Sequence, residues 1–328
     1  MIRHHLTSAF IVAITLNSYA SAGSFYDDFD SDSTANWTVN NNGAGTNAAN
    51  FYFDYSTIGI PPAPHSAGTT RGLKLGANLN AATQPAAGII PGISVSPTGK
   101  SFTGVYALRF DWWSNYIGPL NVGATGSTML SNFGIQTSGT VANFPGGVDG
   151  LFFSATGDGQ SSADYRIYSP ERPTSYDVFP ASGNPLDAHV VYLAGSRNQS
   201  AATYTTMFPA GATAPGSQAL LPTQTSATPA GAAGFRWHSV EIMKAVGVVT
   251  FAINGSYVAT VDETLFTSPL GGDNILFGHS DTNLTTNANA ALLEQLQFTL
   301  IDNVVVTPEP ASCLLVALGL MVPVRRRR

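Results

Sequence analysis

Val248-Val-Thr-Phe-Ala-Ile-Asn254-Gly255-Ser-Tyr-Val-Ala-Thr-Val261 reads as two β-branched and aromatic runs joined by an Asn-Gly pair. That pair accepts positive φ at both central positions of a type I′ turn, whose twist matches that of the strands it joins. Pairing across it sets Ile253 opposite Ser256, Phe251 opposite Val258 and Val249 opposite Thr260. Just upstream, Phe235-Arg-Trp-His-Ser-Val-Glu-Ile-Met-Lys244 alternates and supplies the preceding strand of a meander.

The same short patterning recurs along the chain. Candidate strands fall at 25–29, 50–55, 72–75, 105–113, 129–137, 148–155, 164–168, 189–193, 236–244, 246–253, 256–261, 274–278 and 296–306. They are rich in Val, Ile, Phe, Tyr, Trp and Thr, and Gly, Pro, Asn and Asp bound them. Only 289–297 reads as helical, through Leu292, Leu293 and Leu296. Many strands without alternating helices predict an all-β protein, an antiparallel sandwich or barrel. No fixed-period repeat is present, which argues against a propeller or solenoid.

A Trp-His strand, a short turn and a hairpin reading "F-x-I-N-G-x-x-V-A" over 235–261 resembles the concanavalin A-like, or laminin G-like, β-sandwich. The two ends of the domain carry a second resemblance. Asp27-Asp-Phe-Asp30 with Trp37 opens it and Leu300-Ile-Asp-Asn-Val-Val-Val306 closes it, as in jelly-roll carbohydrate-binding modules whose first and last strands are neighbours. The expected fold is therefore one antiparallel sandwich of concanavalin A-like jelly-roll type over 23–307, with its ends paired. In some such modules the acids of those two strands share a structural Ca²⁺. The resemblance thus implies Asp28, Asp30 and Asp302 as ligands, and the alternative is that these acids cap strands or bind backbone amides. No other cofactor is expected.

The stretch 195–234 is dense in Ala, Thr, Ser, Gly and Pro, with Tyr204, Met207, Phe208, Leu220 and Leu221 as its sizeable side chains. A linker would look like this. The strand pattern after Gly234 is too short for a second large domain, so the expectation is a long excursion of one sandwich.

Both termini read as addresses. Residues 1–22 combine a basic start (Arg3), an apolar core at 9–16 and small residues at Ala20 and Ala22, the pattern of a secretory signal peptide cut near Ala22 by signal peptidase. No cysteine follows that core closely, so a lipoprotein anchor is excluded. At the other end, Pro308-Glu309-Pro310 precedes an apolar segment at 311–324 and four arginines, Arg325, Arg326, Arg327 and Arg328. Arginines after an apolar run stay cytoplasmic, which leaves everything before them outside. Triplet, apolar segment and basic end together resemble the PEP-CTERM sorting signal of exopolysaccharide-producing Gram-negative bacteria. The resemblance implies an exosortase as processing partner and a transient inner-membrane anchor over 308–328.

Without its two ends the chain keeps nine basic and nineteen acidic residues, a net charge near −10. That sign excludes nucleic acid as a partner. The single cysteine, Cys313, lies in the tail, so the domain has neither disulfides nor thiol chemistry. The paired-carboxylate strand motif of concanavalin A-like glucanases, "E-x-D-x-x-E", does not occur. Glu241 has no acid two residues on, and Asp149 and Asp158 sit beside glycines, as turn residues do. There is no G-x-S-x-G elbow and no H-E-x-x-H helix, and His65, His189, His238 and His279 are isolated.

Aromatic residues remain as candidates for recognition. Adjacent strand residues face opposite ways, so one of Trp112 and Trp113 packs inward. The other either stacks on a sugar ring or lies beneath the 195–234 excursion. The segment 164–176 clusters Arg166, Tyr168, Arg172 and Tyr176, either as a binding loop at the sandwich edge or as a loop pinned by its own ion pairs. The expected function is a non-catalytic exported protein of the envelope or extracellular matrix, binding carbohydrate or contributing to adhesion beside exopolysaccharide. The alternatives are a polysaccharide hydrolase or lyase on the same fold, or a purely structural envelope protein.

Overall fold

The computed structural model describes residues 23–309, apart from 84, 87, 118–127, 173–189, 195–196, 219–226 and 283–289. Its strands are β1 (Phe25–Asp27), β2 (Trp37–Asn41), β3 (Ala48–Asp54), β4 (Arg71–Gly76), β5 (Gly92–Pro97), β6 (Tyr106–Asn115), β7 (Met129–Thr137) and β8 (Leu151–Thr156). They continue as β9 (Tyr165–Tyr168), β10 (Val190–Tyr192), β11 (Trp237–Lys244), β12 (Val248–Ile253), β13 (Ser256–Asp262), β14 (Asn274–Asp281) and β15 (Phe298–Pro308). Two short helices, α1 (Ala202–Met207) and α2 (Ala290–Leu296), complete the described elements.

The strands form two antiparallel sheets packed face to face. The larger runs β10-β13-β12-β11-β6-β15-β4-β3, with β1 also on β15; the smaller runs β2-β5-β14-β7-β8-β9. This is the antiparallel β-sandwich that the strand pattern predicts. Its first and last strands are neighbours, with Phe25 opposite Val306 and Asp27 opposite Val304. Alternate residues of each strand point between the sheets. Leu108, Phe110 and Trp112 of β6 meet Phe133, Ile135, Phe153, Phe277, Phe251 and Ile301 in one core.

The Asn-Gly turn has positive φ at both positions, 50° at Asn254 and 76° at Gly255. The strand register beyond it differs from expectation. Ile253 does face Ser256, but Phe251 faces Ala259 and Val249 faces Val261, because Val258 is the extra residue of a β-bulge. The apolar side chains of β13 stand at 258, 259 and 261, a spacing that no regular strand can keep on one face. The bulge turns all three into the core.

Strands β2 and β5 were absent from the sequence reading. β5 is a plain alternation, with Ile93 and Val95 inward and Ser94 and Ser96 on the other face; β2 pairs with it through Val39 and Val95. Helix α2 stands where expected, its leucines covering Ile117. Helix α1 is new. It docks the excursion onto the sandwich, with Tyr204 stacked on Tyr165 at 3.8 Å and Phe208 4.8 Å from the His238 ring. Among the described residues no helix is long and apolar enough to cross a membrane. The runs at 9–16 and 311–324 lie outside those residues.

Candidate functional site

The outer face of the larger sheet is divided into a roofed half and an open half. In the roofed half, Trp113 and Leu300 are covered by Tyr55, Ile60, Tyr116, Phe235 and Phe298, with Ala212 and Ala214 of the excursion packed against them. Trp237 closes the margin, its indole N–H donating to the Pro61 carbonyl at 2.7 Å. Both tryptophans of β6 are therefore buried. Trp112 lies between the sheets against Phe133 and His238, and Trp113 lies under the excursion and the 55–60 segment. Neither can stack on a sugar; of the two alternatives for the outer tryptophan, Trp113 takes the one beneath the excursion.

A polar seam borders the roof. Asp111 of β6 and Asp302 of β15 are register partners with no exposed surface. Asp111 accepts from the His65 backbone N–H at 3.0 Å, Asn303 Nδ2 at 3.0 Å and Ser239 Oγ at 3.3 Å. Its Oδ1 also lies 2.8 Å from Nδ1 of His65, whose side chain is 65% exposed. Asp302 accepts from the Tyr55 hydroxyl at 3.0 Å and from the Asn303 N–H at 2.7 Å. A bulge in β15, with Asn303 at φ 53°, lets the consecutive side chains of Asp302 and Asn303 both join this seam. Burial pushes the Asp302 carboxyl up to about 8; its hydrogen bonds from Tyr55 and Asn303 oppose the shift, and the charges of Asp111 and Asp30 add to it.

Beyond the seam the sheet is open. A groove of about 450 Å³ crosses it, lined by Tyr257 of β13, Ala252 of β12, Ser239 and Glu241 of β11, Arg109 of β6, Asn303 and Val305 of β15 and Tyr26 of β1, with His65 at its rim. Six strands span five interstrand spacings, about 24 Å. Tyr26 and Tyr257, at its two ends, are 62% and 45% exposed. In the floor Arg109 donates to Glu241 Oε2 at 2.7 Å, to Thr307 Oγ1 at 2.9 Å and to Glu309 Oε1 at 2.9 Å. Partial burial works against its charge, but Glu309 and Glu241 outweigh that and hold the guanidinium above its ordinary value.

The structure brings few of the sequence-predicted site residues to this groove. Arg166 and Tyr168 are buried on β9: the guanidinium donates to Ala163 O at 2.6 Å, and the phenol ring stacks on Phe152. They brace the sheet edge rather than forming a binding loop. Arg172 forms a tight bridge with Ser169 next to them. Asp28 accepts from the Tyr26 hydroxyl at 3.1 Å and from the Asp30 N–H at 3.1 Å. Among the described residues no three His, Cys, Asp or Glu side chains converge on a metal position. The set Asp28, Asp30 and Asp302 forms no such cluster, so the implied Ca²⁺ finds no support in the arrangement of these side chains. Asp149 is a turn residue, accepting from Thr137 Oγ1, Asn143 Nδ2 and the Ser138 N–H. Pro308 is the last residue of β15 and Glu309 follows it; Ala20, Ala22, Tyr176, Pro310 and Arg325–Arg328 lie outside the described residues.

Sequence reasoning missed Tyr26, Tyr55, His65, Arg109, Asp111, Tyr257 and Asn303. One signal was present: in Phe110-Asp-Trp-Trp113 an aspartate interrupts a strongly apolar strand, and such an acid is rarely buried without partners.

No family model and no curated protein matches the sequence. Solved structures of similar shape include a Bacillus subtilis protein of unknown function with a galectin-like fold, at 10% identity and TM-score 0.39, covering 88% of this chain and 98% of that one. The carbohydrate recognition domain of Emp47p matches at 8% and 0.38, covering 89% and 97%. The Bacillus licheniformis β-glucanase matches at 10% and 0.37, covering 89% and 100%. At these scores the likeness says nothing about what this chain binds, and the sandwich stands on its own sheet topology.

Proposed function

We propose that this is an exported, non-catalytic protein of the bacterial envelope or extracellular matrix that binds carbohydrate in the groove across the larger sheet. The groove itself carries the reading. Two exposed tyrosines stand at the ends of a row of hydrogen-bonding side chains mounted on paired strands. Aromatic faces with a polar handle suit the two-sided surface of a sugar, and strands hold such groups in place better than loops.

Binding is favoured over catalysis by how the polar groups are engaged. Ser239 donates to Asp111 rather than to His65, so the imidazole does not activate its hydroxyl. Glu241 is paired with Arg109, and Asp302 is sealed under Tyr55. These arrangements do not form the two free carboxyl groups that flank a glycosidic bond in a hydrolase.

The termini complete the proposal: a leader cut near Ala22, and a PEP-CTERM tail over 308–328 that anchors the chain in the inner membrane until an exosortase processes it near Pro308-Glu309-Pro310. Two measurements test this. Cells expressing the full chain are fractionated, and intact 328-residue protein in the cytoplasm would overturn the export reading. The exported protein is then placed on a glycan array and assayed for reducing-sugar release. Binding without product is the expected outcome; product lost on Glu241→Gln would establish the enzyme instead.

A further inference from the structure

The groove's charge is lopsided, and this bears on which sugars it can hold. Among its described lining residues Arg109 is the one permanent cation, and within the domain Glu241 already holds it. Apart from His65, which is held by Asp111, its other ionic neighbours are acids. Tyr26, the most exposed aromatic lining residue, shares a hydrogen bond with Asp28. After burial, the hydrogen bond to Asp28 and the charges of Asp28 and Asp30 raise its hydroxyl above the usual tyrosine value. Negative potential is thus concentrated at the β1 end of the groove, beside an open aromatic face.

Three kinds of sugar chain would fare differently there. A uronate polymer would meet a guanidinium already paired with Glu241, within a field of like charge. A neutral chain would gain nothing from the carboxylates beyond ordinary hydrogen bonds. An ammonium group would lie against the face of Tyr26 with the Asp28 carboxylate alongside, combining cation–π attraction with charge pairing. The span of about 24 Å across six strands suits several linked residues rather than one sugar.

We propose that the groove takes a linear amino-sugar oligomer bearing free ammonium groups, read by Tyr26 and Asp28. This rests on the carbohydrate-binding reading above. The two are separated by titrating the exported protein calorimetrically at pH 6 with a glucosamine hexamer, its N-acetylated counterpart and an oligogalacturonate.

The glucosamine hexamer is expected to bind about tenfold or more tightly than the acetylated one. That preference should shrink as salt is raised from about 0.05 to 0.5 M, since exposed charges are screened. Asp28→Asn and Tyr26→Ala should each weaken glucosamine binding several-fold, Asp28→Asn with little effect on the acetylated chain. Glu294→Gln, an acid on the exposed side of α2, should leave binding unchanged. Equal affinity for both hexamers, or tighter binding of the galacturonate, would overturn the amino-sugar proposal while the carbohydrate reading stood. A loss with Glu294→Gln as large as with Asp28→Asn would reduce the effect to overall charge and also overturn it. Binding of none of the three would overturn the amino-sugar proposal, and silence on the glycan array as well would remove the carbohydrate reading.

Discussion

Asp111 and Asp302 face each other across β6 and β15 as register partners, both without solvent exposure, and each is held by its own set of donors. Burial raises the Asp302 carboxyl, and the charge of Asp111 beside it adds to the shift. Tyr55, Asn303 and His65 tie the pair to the roof of the outer face, so the seam links the buried half of that face to the open groove.

That pair makes stability depend on pH. The Asp302 carboxyl is raised to about 8, so between the usual carboxylate range and about pH 8 the folded state binds a proton that the unfolded state has lost. Its contribution falls as pH rises through that window, by up to about 1.4 kcal/mol per pH unit. His238 and His279 act the other way. Burial lowers them to about 4 and about 3, so below the ordinary histidine value near 6.5 the unfolded state binds the extra protons and stability falls as pH drops. Thermal melts between pH 4 and 9 should show a maximum near 6.5. Asp302→Asn should flatten the alkaline limb and steepen the acid one, because the Asp302 window runs from the usual carboxylate range to about pH 8; an alkaline limb of unchanged slope would rule out this origin.

Trp113→Ala should cost about 3–5 kcal/mol, as removal of a buried aromatic side chain usually does. The cluster around Trp113 joins the 55–60 segment and the excursion to the sheet, so urea titration should show a large drop in midpoint. Glycan binding at temperatures where the variant is folded should be unaffected, because Trp113 lies under the roof. Loss of binding by folded protein would return Trp113 to the candidate binding residues.

Gly255→Ala tests the turn chemistry in isolation. A Cβ at this position would meet nothing within 4 Å, yet φ is 76°, so the penalty is purely conformational. The expected loss is about 1–2 kcal/mol. Replacement of the Asn254-Gly255 pair by two alanines should cost more, since Asn254 also accepts the Ser239 N–H at 3.0 Å. Chemical denaturation of the two variants gives both numbers.

Gly134→Ala should be worse. Its Cβ would strike the Leu151 carbonyl oxygen and come within 2.5 Å of the Phe152 Cβ on the neighbouring strand. Both belong to paired β8, so β7 and β8 would have to separate, at about 1–3 kcal/mol or more. A melt matching the parent would mean that these strands yield more easily than their pairing implies.

Much of the framework was legible from local pattern. Asn254-Gly255 marked its turn, the runs around it marked the meander, and Val248 to Val261 paired as a hairpin. The bulge at Val258 was not legible, because whether Val258 and Ala259 can both be buried depends on the opposite sheet. β5 was passed over although Ile93 and Val95 alternate with serines; its burial on both faces shows only once β14 and β2 lie beside it. For Arg166 and Trp113 the sequence left a binding role and a covered, structural role both open, because these residue types serve in either. Each is in fact covered by residues distant in sequence or held by nearby backbone.

The amino-acid sequence by itself determined the all-β class, the hairpin turn and the strand character of most of the sheet, since backbone preference and side-chain alternation act over a few residues. It also carried the acidic balance of the domain. Tertiary structure alone decided which outer face is roofed and which is open, and it placed Tyr26, His65, Arg109, Glu241 and Tyr257 around one groove. Those residues lie on five separate stretches of chain, and only the order of strands in a sheet makes them neighbours. The same holds for Asp111 and Asp302, which are 191 positions apart along the chain. The Asp302 carboxyl is raised because the packed sheet and the roof over it take it out of water, which nothing in its local sequence announces.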